Sequence, residues 1–434
     1  MNKKVAFYTL GCKVNQYETN GMAQKFIEKG YEVVEFNEMA DIYIVNTCTV
    51  TNISDRKSRQ MLRRAKEINP NSKIIAVGCY VQVAKQEIEK MEEIDLCLGT
   101  NEKKDIVKYV EEYLNDGEKE EIDDVFQNRE FGDFGNVTYT EKVRAVIKVQ
   151  DGCDRFCSYC LIPYARGRVR SRKPESVIKE IKSIANEGIK EVIITGIHVA
   201  SYGKDFKEDY KLIDLLEEIN KIDGIERIRL GSIEPLLIDE EFVEKLCKLN
   251  KICHHFHLSL QSGCNETLER MNRRYKTEEF EEIVKRLRNT YNDVILTTDI
   301  IVGFPGEDEE EFAKTYEFLK KIKFYKMHVF KYSIRTGTKA AVMENQVPTS
   351  IKEERSKKLI NLSNENEAYY NNSYIGKNVD VLIEEKDGEY YKGHTANYLL
   401  TKVKCEENII NKIVTGKVCK STNSELIVDN VTKM

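Results

Sequence analysis

The chain has 434 residues, 41% of them hydrophobic and 32% charged, a composition that predicts a folded protein of two or three domains. A formal net charge of −5 excludes a uniformly basic nucleic-acid binder, although local basic patches remain. The N-terminal apolar run is too short for a signal peptide, and no stretch approaches the roughly 20 apolar residues of a membrane span, so we expect a cytoplasmic protein without membrane contact. Thiols stay reduced there, and clusters among the 12 cysteines therefore indicate metal sites.

Residues 1–115 alternate short apolar strands with helix-period stretches, which predicts an open α/β sheet of mostly parallel strands. The strands "KVAFYTL", "ADIYIVNT" and "KIIAVG" run directly into Cys12, Cys48 and Cys79. Because ligands gather at the carboxyl ends of strands in such sheets, we expect the three thiols to converge on a shared metal site. The alternative is three buried, inert cysteines.

An acidic segment, residues 116–138, is predicted to be a linker, and residues 139–371 then repeat a strand-helix rhythm. Six such units predict a partial (β/α)6 version of the eight-fold barrel, with its chemistry at the carboxyl ends of the strands. The predicted strands are Ala145–Gln150, Glu191–Thr195, Ile225–Leu230, Phe256–Leu260, Val294–Val302 and Met327–Lys331.

Three further cysteines, Cys153, Cys157 and Cys160, follow the first of these strands in the stretch "DGCDRFCSYC". A four-iron cluster normally takes four cysteines, so three thiolates in one loop leave one iron open to another ligand. The alternative is a zinc knuckle completed by a distant residue such as Cys253 or His254. The remaining cysteines are interpreted as ordinary thiols.

Residues 372–434 carry five short predicted strands and no helix, a pattern typical of small all-β barrels that bind oligonucleotides. Basic and acidic residues balance in this segment, so composition leaves a purely structural cap open as the alternative.

Several motifs of the chain resemble those of one known enzyme superfamily. The Cys-x-x-x-Cys-x-x-Cys loop, with Tyr159 before its last cysteine, and "IIVGFPGE" resemble the radical S-adenosylmethionine superfamily. Within it, "TLGCKVNQYET", "NTCTVT", "VGCY", "IPYARG" and "LSLQSGC" resemble the methylthiotransferases, which end in a TRAM domain. "CKVNQYE", "RMNRRY" and "MHVFKYSIRTGT" are most similar to the tRNA N6-threonylcarbamoyladenosine methylthiotransferases. Relatives that modify isopentenyladenosine tend to carry Gln-Met-Asn after the first cysteine.

The resemblance implies two 4Fe-4S clusters. Cys153, Cys157 and Cys160 would hold the one that binds and cleaves S-adenosylmethionine, and Cys12, Cys48 and Cys79 an auxiliary cluster that carries the sulfur. The product would be a 2-methylthio adenosine next to the anticodon of tRNA. Hard chemistry of this kind belongs to the cofactors, so no catalytic acid or base is demanded. The implied partners are a tRNA anticodon stem-loop and an electron donor such as flavodoxin or ferredoxin.

Other residues follow from this resemblance by position. The residues that we expect to contact S-adenosylmethionine are Tyr159, Gly196, Gln261, Asp299, Gly303 and Gly306. One departure is that "TGIHVASYG" stands where the superfamily usually has Gly-Gly-Glu, which puts the amino-group contact in doubt. Gln261 has a structural strand-end role as its alternative.

Two sets of side chains are predicted to contact RNA. Alternating arginines after the cluster loop would line one side of an extended segment and face phosphate, with a solvated charged face as the alternative. Tyrosines of the small barrel would stack on bases, or else belong to its core. The residues concerned are Arg166, Arg168, Arg170, Arg172, Tyr390, Tyr391 and Tyr398.

Three alternatives to threonylcarbamoyladenosine methylthiolation remain at this point. Two lie within the same enzyme family, with isopentenyladenosine in tRNA or a ribosomal-protein aspartate as the substrate. The third is an RNA-binding protein without radical activity, in which metal only staples the fold.

Overall fold

The computed structural model describes residues 3–117, 122–140 and 143–433. Part of the predicted linker, residues 118–121, and residues 141–142 of the following predicted domain lie outside the described residues. No helix in the described ranges is long and apolar enough to cross a membrane.

The N-terminal part is an open sheet of five parallel strands in the order β2-β1-β3-β4-β5. Its central strand β3, "IYIVNT", is buried along its whole length, because helices cover both faces of a parallel sheet. Alternate residues of β3 and β4 enter two separate cores, one on each face. The elements are β1 Lys4–Thr9, α1 Lys13–Glu28, β2 Glu32–Val34, β3 Ile42–Thr47, α2 Asn52–Ile68, β4 Lys73–Gly78, α3 Cys79–Val83, α4 Lys85–Ile88, β5 Leu96–Leu98 and α5 Ile106–Asp116.

The middle part holds the six predicted parallel strands, with two short additional ones. They form two four-stranded sheets, β7-β6-β8-β9 and β10-β11-β12-β13, which meet where Gly231 separates β9 from β10. The strands are β6 Arg144–Asp151, β7 Arg170–Ser171, β8 Glu191–Gly196, β9 Arg227–Leu230, β10 Ser232–Ile233, β11 His255–Gln261, β12 Ile295–Val302 and β13 Lys326–Lys331.

Helices pack against the outer face of these strands and build the largest core. Pro174 opens one of them at a position where its missing N–H costs nothing, and Asp308 caps another by accepting from the Glu311 N–H at 2.9 Å. The helices are α6 Ile162–Arg166, α7 Pro174–Asn186, α8 Leu212–Asn220, α9 Glu240–Leu246, α10 Asn265–Arg270, α11 Thr277–Thr290, α12 Glu309–Ile322 and α13 Thr349–Asn372.

The C-terminal part is a closed barrel of five strands in the order β14-β15-β16-β18-β17, with its own apolar core. Closure removes the exposed strand edges that a five-stranded open sheet would have. The strands are β14 Asn378–Asp387, β15 Tyr390–Thr395, β16 Leu400–Lys404, β17 Ile413–Ser421 and β18 Leu426–Lys433. The predicted fold class, an open parallel sheet, a partial barrel and a small all-β barrel, is confirmed.

The N-terminal sheet spans the two edges of the partial barrel. On one side, Glu18 of α1 accepts a salt bridge from Lys148 of β6 at 2.7 Å. On the other, Asp55 of α2 pairs with Arg335, which follows β13, at 2.7 Å. The carboxyl ends of both sets of strands therefore face one shared space.

Candidate active site

Cys12, Cys48 and Cys79 stand at the carboxyl ends of neighbouring parallel strands. Cys12 caps α1 after a loop of two residues that follows β1, Cys48 follows β3 directly, and Cys79 opens α3 directly after β4. Burial, together with the neighbouring Cys79 and Cys12 thiols, raises the pKa of the Cys48 thiol to about 11. The three sulfurs are thus close enough to interact electrostatically, as their strand-end positions predict.

The backbone at Cys12 is shaped to bring that residue against Cys48. Gly11 has φ +96, which favours glycine, and a Cβ there would lie 2.7 Å from Cys48 Sγ. The Cys12 side chain is reached by solvent, yet enough protein surrounds it that burial raises the pKa of its thiol. Cys12 therefore lines a recess that is open to a ligand.

Arg166 joins this set of cysteines to the middle sheet. Its Nε donates to Cys79 Sγ at 3.2 Å, and its Nη2 donates to Asn15 Oδ1 at 2.7 Å. Its Nη1 donates to Glu18 Oε1 at 2.6 Å and to Asp151 Oδ1 at 3.2 Å. Because Asp151 ends β6 two residues before Cys153, this one buried guanidinium contacts a thiol of one set and the strand end that leads into the other.

The second set lies in the loop after β6. Gly152 turns the chain at φ +70, in a place where a Cβ would lie 1.8 Å from the Arg168 carbonyl oxygen. The Arg155 N–H donates to Cys153 Sγ at 3.4 Å, and the Ile162 N–H donates to Cys160 Sγ at 3.4 Å. Burial raises the pKa of Cys153 to about 11 and that of Cys160 to about 12.

A buried network adjoins this loop. Arg273 Nη1 donates to Cys157 Sγ at 3.3 Å, and its Nη2 donates to Glu234 Oε2 at 3.1 Å. Burial alone would raise the pKa of Glu234, but the hydrogen bond from His198 and the charge of Arg273 lower it to about 2. Glu234 is therefore an anion that holds Arg273 against the cluster loop.

Both cysteine sets receive N–H donors at sulfur, as iron–sulfur sites do. In the part of the chain that the structure describes, no three His, Cys, Asp or Glu side chains are arranged to hold one metal ion. Several irons in a cluster let the ligands stand further apart, and N–H donors to sulfur are typical of such sites. Ligand thiols must lose their protons, and the raised pKa values mean that bound metal has to drive that loss.

The two residues named for the zinc alternative lie at the wrong end of the strands. Cys253 and His254 precede β11, whereas the cysteine loop follows the far end of β6, and a strand of this length is about 20 Å long. His254 Nδ1 instead lies 2.6 Å from Asp293 Oδ1. Neither residue can complete the set in the loop.

The predicted S-adenosylmethionine residues surround the strand ends near this loop. The Tyr159 ring packs on Phe304, with centroids 6.3 Å apart, and Gly196 closes β8 against Gln150. Gln261 ends β11 with φ 72, a strained backbone for a residue other than glycine.

Gly303 and Gly306 build the turn after β12, both with positive φ. A Cβ on Gly303 would lie 2.3 Å from Lys352 Cγ, and the φ of +69 at this position also favours glycine. Asp299 differs from the others, because its two carboxylate oxygens face the imidazoles of His257 and His328.

The predicted RNA-facing row of arginines is wrong for three of its four members. Arg166, Arg170 and Arg172 are buried, with 0%, 3% and 1% of their surface exposed. Arg170 donates to Asn101 and to the Arg166 carbonyl, and Arg172 pairs with Glu180 at 2.9 Å. Only Arg168 is exposed, and it lies over the ring of Phe156 in the cluster loop, 4.9 Å from the centroid.

The three tyrosines of the small barrel that are predicted to stack on bases differ in their exposure. Tyr391 is buried in the barrel core, and Tyr390 is half-buried at the β14–β15 turn. Tyr398 stacks between His255 and His394, with centroids 4.7 and 4.6 Å away, at the contact between the barrel and the middle sheet. Tyr398 is therefore an interface residue and does not present a free ring to RNA.

Comparison with known proteins adds the family. A model of the Radical SAM superfamily matches residues 147–319, and one described as Uncharacterized protein family UPF0004 matches residues 4–99. The threonylcarbamoyladenosine tRNA methylthiotransferase MtaB of Bacillus subtilis is 42% identical over 424 residues, 96% of this chain and 94% of its own length. The chain belongs to the radical SAM tRNA methylthiotransferases.

Two further relatives differ in their sequence identity to this methylthiotransferase. The MtaB protein of Aquifex aeolicus is 45% identical over 385 residues, 88% of this chain and 93% of its own length. The tRNA-2-methylthio-N(6)-dimethylallyladenosine synthase of Alkaliphilus oremlandii is 35% identical over 441 residues, 98% of this chain and 93% of its own length. The family implies S-adenosylmethionine and a 4Fe-4S cluster as cofactors.

Solved structures support the fold of this methylthiotransferase. The radical S-adenosylmethionine methyltransferase TsrM from Kitasatospora setae superimposes with a TM-score of 0.59, covering 79% of this chain and 77% of its own. At 16% identity, this likeness shows the fold alone.

The buried charges that support the two sets of cysteines were not predicted from the sequence. Glu18, Asp151 and Arg273 stand inside the quoted motifs and Glu234 lies outside them, and none of the four had a predicted role. Their partners lie far away along the chain, as with Arg166 and Glu18, which are 148 residues apart. Their one indication in the sequence was that charged residues stand within short cysteine-containing motifs, as Glu18 and Asp151 do.

Proposed function

We propose that this methylthiotransferase transfers a methylthio group to C2 of N6-threonylcarbamoyladenosine next to the anticodon of tRNA. The observation that carries the proposal is the contact of Arg166 with Cys79 on one side and Asp151 on the other, because it sets two three-cysteine sites beside one space. The 42–45% identity to two MtaB proteins supports this substrate over dimethylallyladenosine, whose synthase is 35% identical.

Two clusters are part of the proposal. Cys153, Cys157 and Cys160 would hold a 4Fe-4S cluster with S-adenosylmethionine, and Cys12, Cys48 and Cys79 a second 4Fe-4S cluster. When bound, these groups would supply a carbon-centred radical from one S-adenosylmethionine, the sulfur from the second cluster and the methyl group of that sulfur from another S-adenosylmethionine. An electron donor such as flavodoxin or ferredoxin would reduce the first cluster.

The chain's own groups bind, orient and exclude water. The N–H donors of Arg166, Arg273 and the loop backbone point at ligand sulfurs and stabilise their negative charge. Tyr159, Gly196, Gln261 and the Gly303–Gly306 turn are the proposed walls of the S-adenosylmethionine site.

The RNA approach is proposed to pass over Arg168. This arginine is exposed and lies over the Phe156 and Phe126 rings, and Tyr164 packs edge-on against both. An arginine on aromatic rings next to the cluster loop suits unstacked bases and phosphate. The small barrel, with Tyr390 at its turn, would contact the same stem-loop.

The experiment that tests the substrate is mass spectrometry of tRNA nucleosides from cells that lack the gene. We expect 2-methylthio-N6-threonylcarbamoyladenosine to disappear and its unmethylthiolated precursor to accumulate. Loss of the dimethylallyl product instead would assign the other tRNA substrate, and unchanged nucleosides with no second enzyme present would contradict both.

Metal analysis tests the cluster count. Given two four-iron clusters, about eight irons per chain are expected, and stoichiometric zinc would contradict the proposal. The Cys157→Ala variant should lose S-adenosylmethionine cleavage, whereas Cys12→Ala should keep cleavage and lose methylthio transfer. Cys247→Ala, which changes an exposed thiol outside both sets, is the control and should keep both reactions.

A further inference from the structure

The helix that follows Cys48 in the chain carries concentrated positive charge. α2 has six basic residues and two acidic ones, in a protein whose formal net charge is −5. Its buried side is formed by Asp55, Ser58, Leu62 and Ala65. Because an α-helix repeats about every 3.6 residues, exposed basic residues gather on the opposite side. We call this surface the basic face of α2, and it consists of Arg56, Lys57, Gln60, Arg63 and Arg64.

Only half of the six cations of α2 are paired with carboxylates. The pairs are Arg59–Glu87 at 2.8 Å, Arg63–Glu93 at 3.4 Å and Lys66–Asp95 at 3.9 Å. Within the described ranges, Arg56, Lys57 and Arg64 form no salt bridge. Arg64 Nη2 donates instead to the neutral Asn37 Oδ1 at 2.9 Å. Three exposed positive charges on one face are therefore left without a counter-charge from the protein.

The long side chains of this helix enclose a shallow recess of about 580 Å³. The residues that line it are Arg56, Arg59, Gln60, Arg63, Arg64 and Glu67. Like charges one turn apart repel, as at Arg59 and Arg63, so the stability of the helix does not account for their clustering. Arginine matches phosphate well, because its planar fork donates two parallel hydrogen bonds. The recess therefore suits a ligand that carries phosphate groups.

The first turn of α2 lies at the edge of the space that both sets of strand ends face. Asn52 Nδ2 donates to the Ile334 carbonyl at 3.1 Å, so this turn contacts the segment that follows β13. Ile334 is 46% exposed, and Val50 and Ile53 are each 57% exposed. In the chain, these last two stand between Cys48 and the basic face. Exposed apolar side chains next to a basic face suit RNA, whose unstacked bases adjoin phosphates.

We propose that the basic face of α2 binds the phosphate backbone of the RNA whose target nucleotide enters the space beside Cys48. The inference rests on the proposed function, since it takes tRNA as the substrate. Arg56 and Arg64 lie about 12 Å apart along the helix axis, at about 1.5 Å per residue, which spans more than one phosphate of a strand.

An acidic electron-donor protein is the other ligand that positive charge would attract. Such a donor has to approach the cysteine loop that follows β6, whereas α2 begins at the N-terminal cysteines and contacts the segment after β13. These are the two opposite edges of the partial barrel. The position of the basic face therefore favours RNA.

Salt-dependent binding of an anticodon stem-loop RNA to the cluster-loaded enzyme tests the inference. The RNA carries threonylcarbamoyladenosine or unmodified adenosine, and affinity is measured anaerobically by fluorescence anisotropy over a series of KCl concentrations. The triple variant Arg56→Gln/Lys57→Gln/Arg64→Gln should bind both RNAs about tenfold more weakly at low salt, the loss expected of three exposed ion pairs. Each phosphate contact contributes about −0.7 to −0.9 to the slope of log K against log salt, so the slope should become less negative by about 2 to 3.

Two further variants separate phosphate binding from a general effect of charge. Lys179→Gln/Lys182→Gln/Lys221→Gln removes three exposed lysines from α7 and the end of α8, and this matched control should keep the affinity and slope of the wild type. Arg56→Lys/Arg64→Lys keeps both charges and should keep the slope. Iron content is matched across all preparations, and an unchanged midpoint of thermal unfolding shows that each variant is folded.

The other outcomes are distinct from one another. An unchanged slope in the first triple variant would overturn the inference and leave the basic face as a solvated helix surface. Equal losses in the control would also overturn it, because net charge alone would then explain both. Normal RNA binding with slower reduction of the enzyme by an acidic flavodoxin would make the face a docking site for the electron donor. Methylthiolation of dimethylallyladenosine alone, with the slope still reduced in the variant, would remove the proposed substrate and support the phosphate contact.

Discussion

At the scale of single residues, Arg166 shows how a charged side chain can be misread. Arginine at every second position predicts one exposed face of a strand, yet Arg166 is fully buried between Glu18, Asp151 and Cys79. Three cations, Lys103, Lys148 and Arg166, surround Glu18, and together they hold its pKa well below the usual range although burial alone would raise it. Each charge in such a buried network depends on the others, because removing one leaves its partners without compensation.

Removing Arg166 should therefore destabilise the protein. Arg166→Gln leaves Glu18 and Asp151 with less compensation in a buried place, and breaking buried pairs of this kind costs about 3–5 kcal/mol of unfolding free energy. Urea unfolding measures the loss. The control, Arg168→Gln, removes an exposed arginine and should cost less than about 1 kcal/mol. Equal losses in the two variants would show that the network contributes nothing.

At the scale of elements, the turn between β6 and the cluster loop depends on glycine. Gly152 has φ +70 and faces the Arg168 carbonyl oxygen, which would lie 1.8 Å from a Cβ. Backbone cannot yield as a flexible side chain can, so the loop has to move. The Cys153 N–H, which donates to the Gly167 carbonyl at 3.0 Å, would move with it.

The Gly152→Ala variant should accordingly lose iron from the cysteine loop. We expect about half of the wild-type iron content if the N-terminal set stays loaded, measured as iron and acid-labile sulfide per chain. Gly117→Ala is the matched control, because Gly117 has φ +71 at the end of α5 but nothing lies within 4 Å of its Cβ position. That change costs only backbone strain of about 1 kcal/mol and should leave iron unchanged. Full iron in Gly152→Ala would argue against the steric account.

At the scale of the whole molecule, the small barrel docks on the amino-terminal ends of the middle strands. Arg227 and Arg229 donate to backbone carbonyls of the barrel at 2.9–3.0 Å, including those of Asp380 and Ala396. The Tyr398 ring is stacked between His255 and His394, and the Arg229 guanidinium lies 4.8 Å from its centroid. The small barrel therefore covers the end of the middle sheets that is opposite to the carboxyl ends of their strands.

Removal of the Tyr398 ring should loosen this contact. A desolvated cation–π pair contributes about 2 kcal/mol, and Tyr398→Ala also removes both stacking contacts. We expect faster hydrogen exchange in β15 and the starts of β9 and β11, with the remaining strands unchanged. Tyr390→Ala, at a half-buried turn of the same barrel, should leave exchange at the interface as it is. Uniformly faster exchange in both variants would mean that the barrel itself unfolds.

Acid should weaken the same interface. Burial would raise the pKa of Glu191, but Arg229, Arg144 and Arg227 outweigh it, and the pKa in the folded state is lowered. The stabilisation is thus complete above the unfolded-state pKa of about 4.3 and is lost as the pH falls through the lower folded value. Thermal unfolding between pH 6 and pH 3 measures the loss. Glu191→Gln should show a smaller acid-dependent change than wild type, and an identical pH profile would contradict the role of Glu191.

The sequence by itself determined the strand-helix order of the sheets, the five strands of the small barrel and the positions of the six candidate ligand cysteines at or just after strand ends. Those features depend on local periodicity and on short spacing, which neighbouring residues carry. The tertiary structure alone decided that Arg166 is a buried bridge, that Tyr398 is an interface residue and that Asp299 faces two imidazoles. The partners of these residues come from strands and helices tens to hundreds of residues away. Whether a charged side chain is solvated or paired depends on packing and burial, which no local pattern encodes.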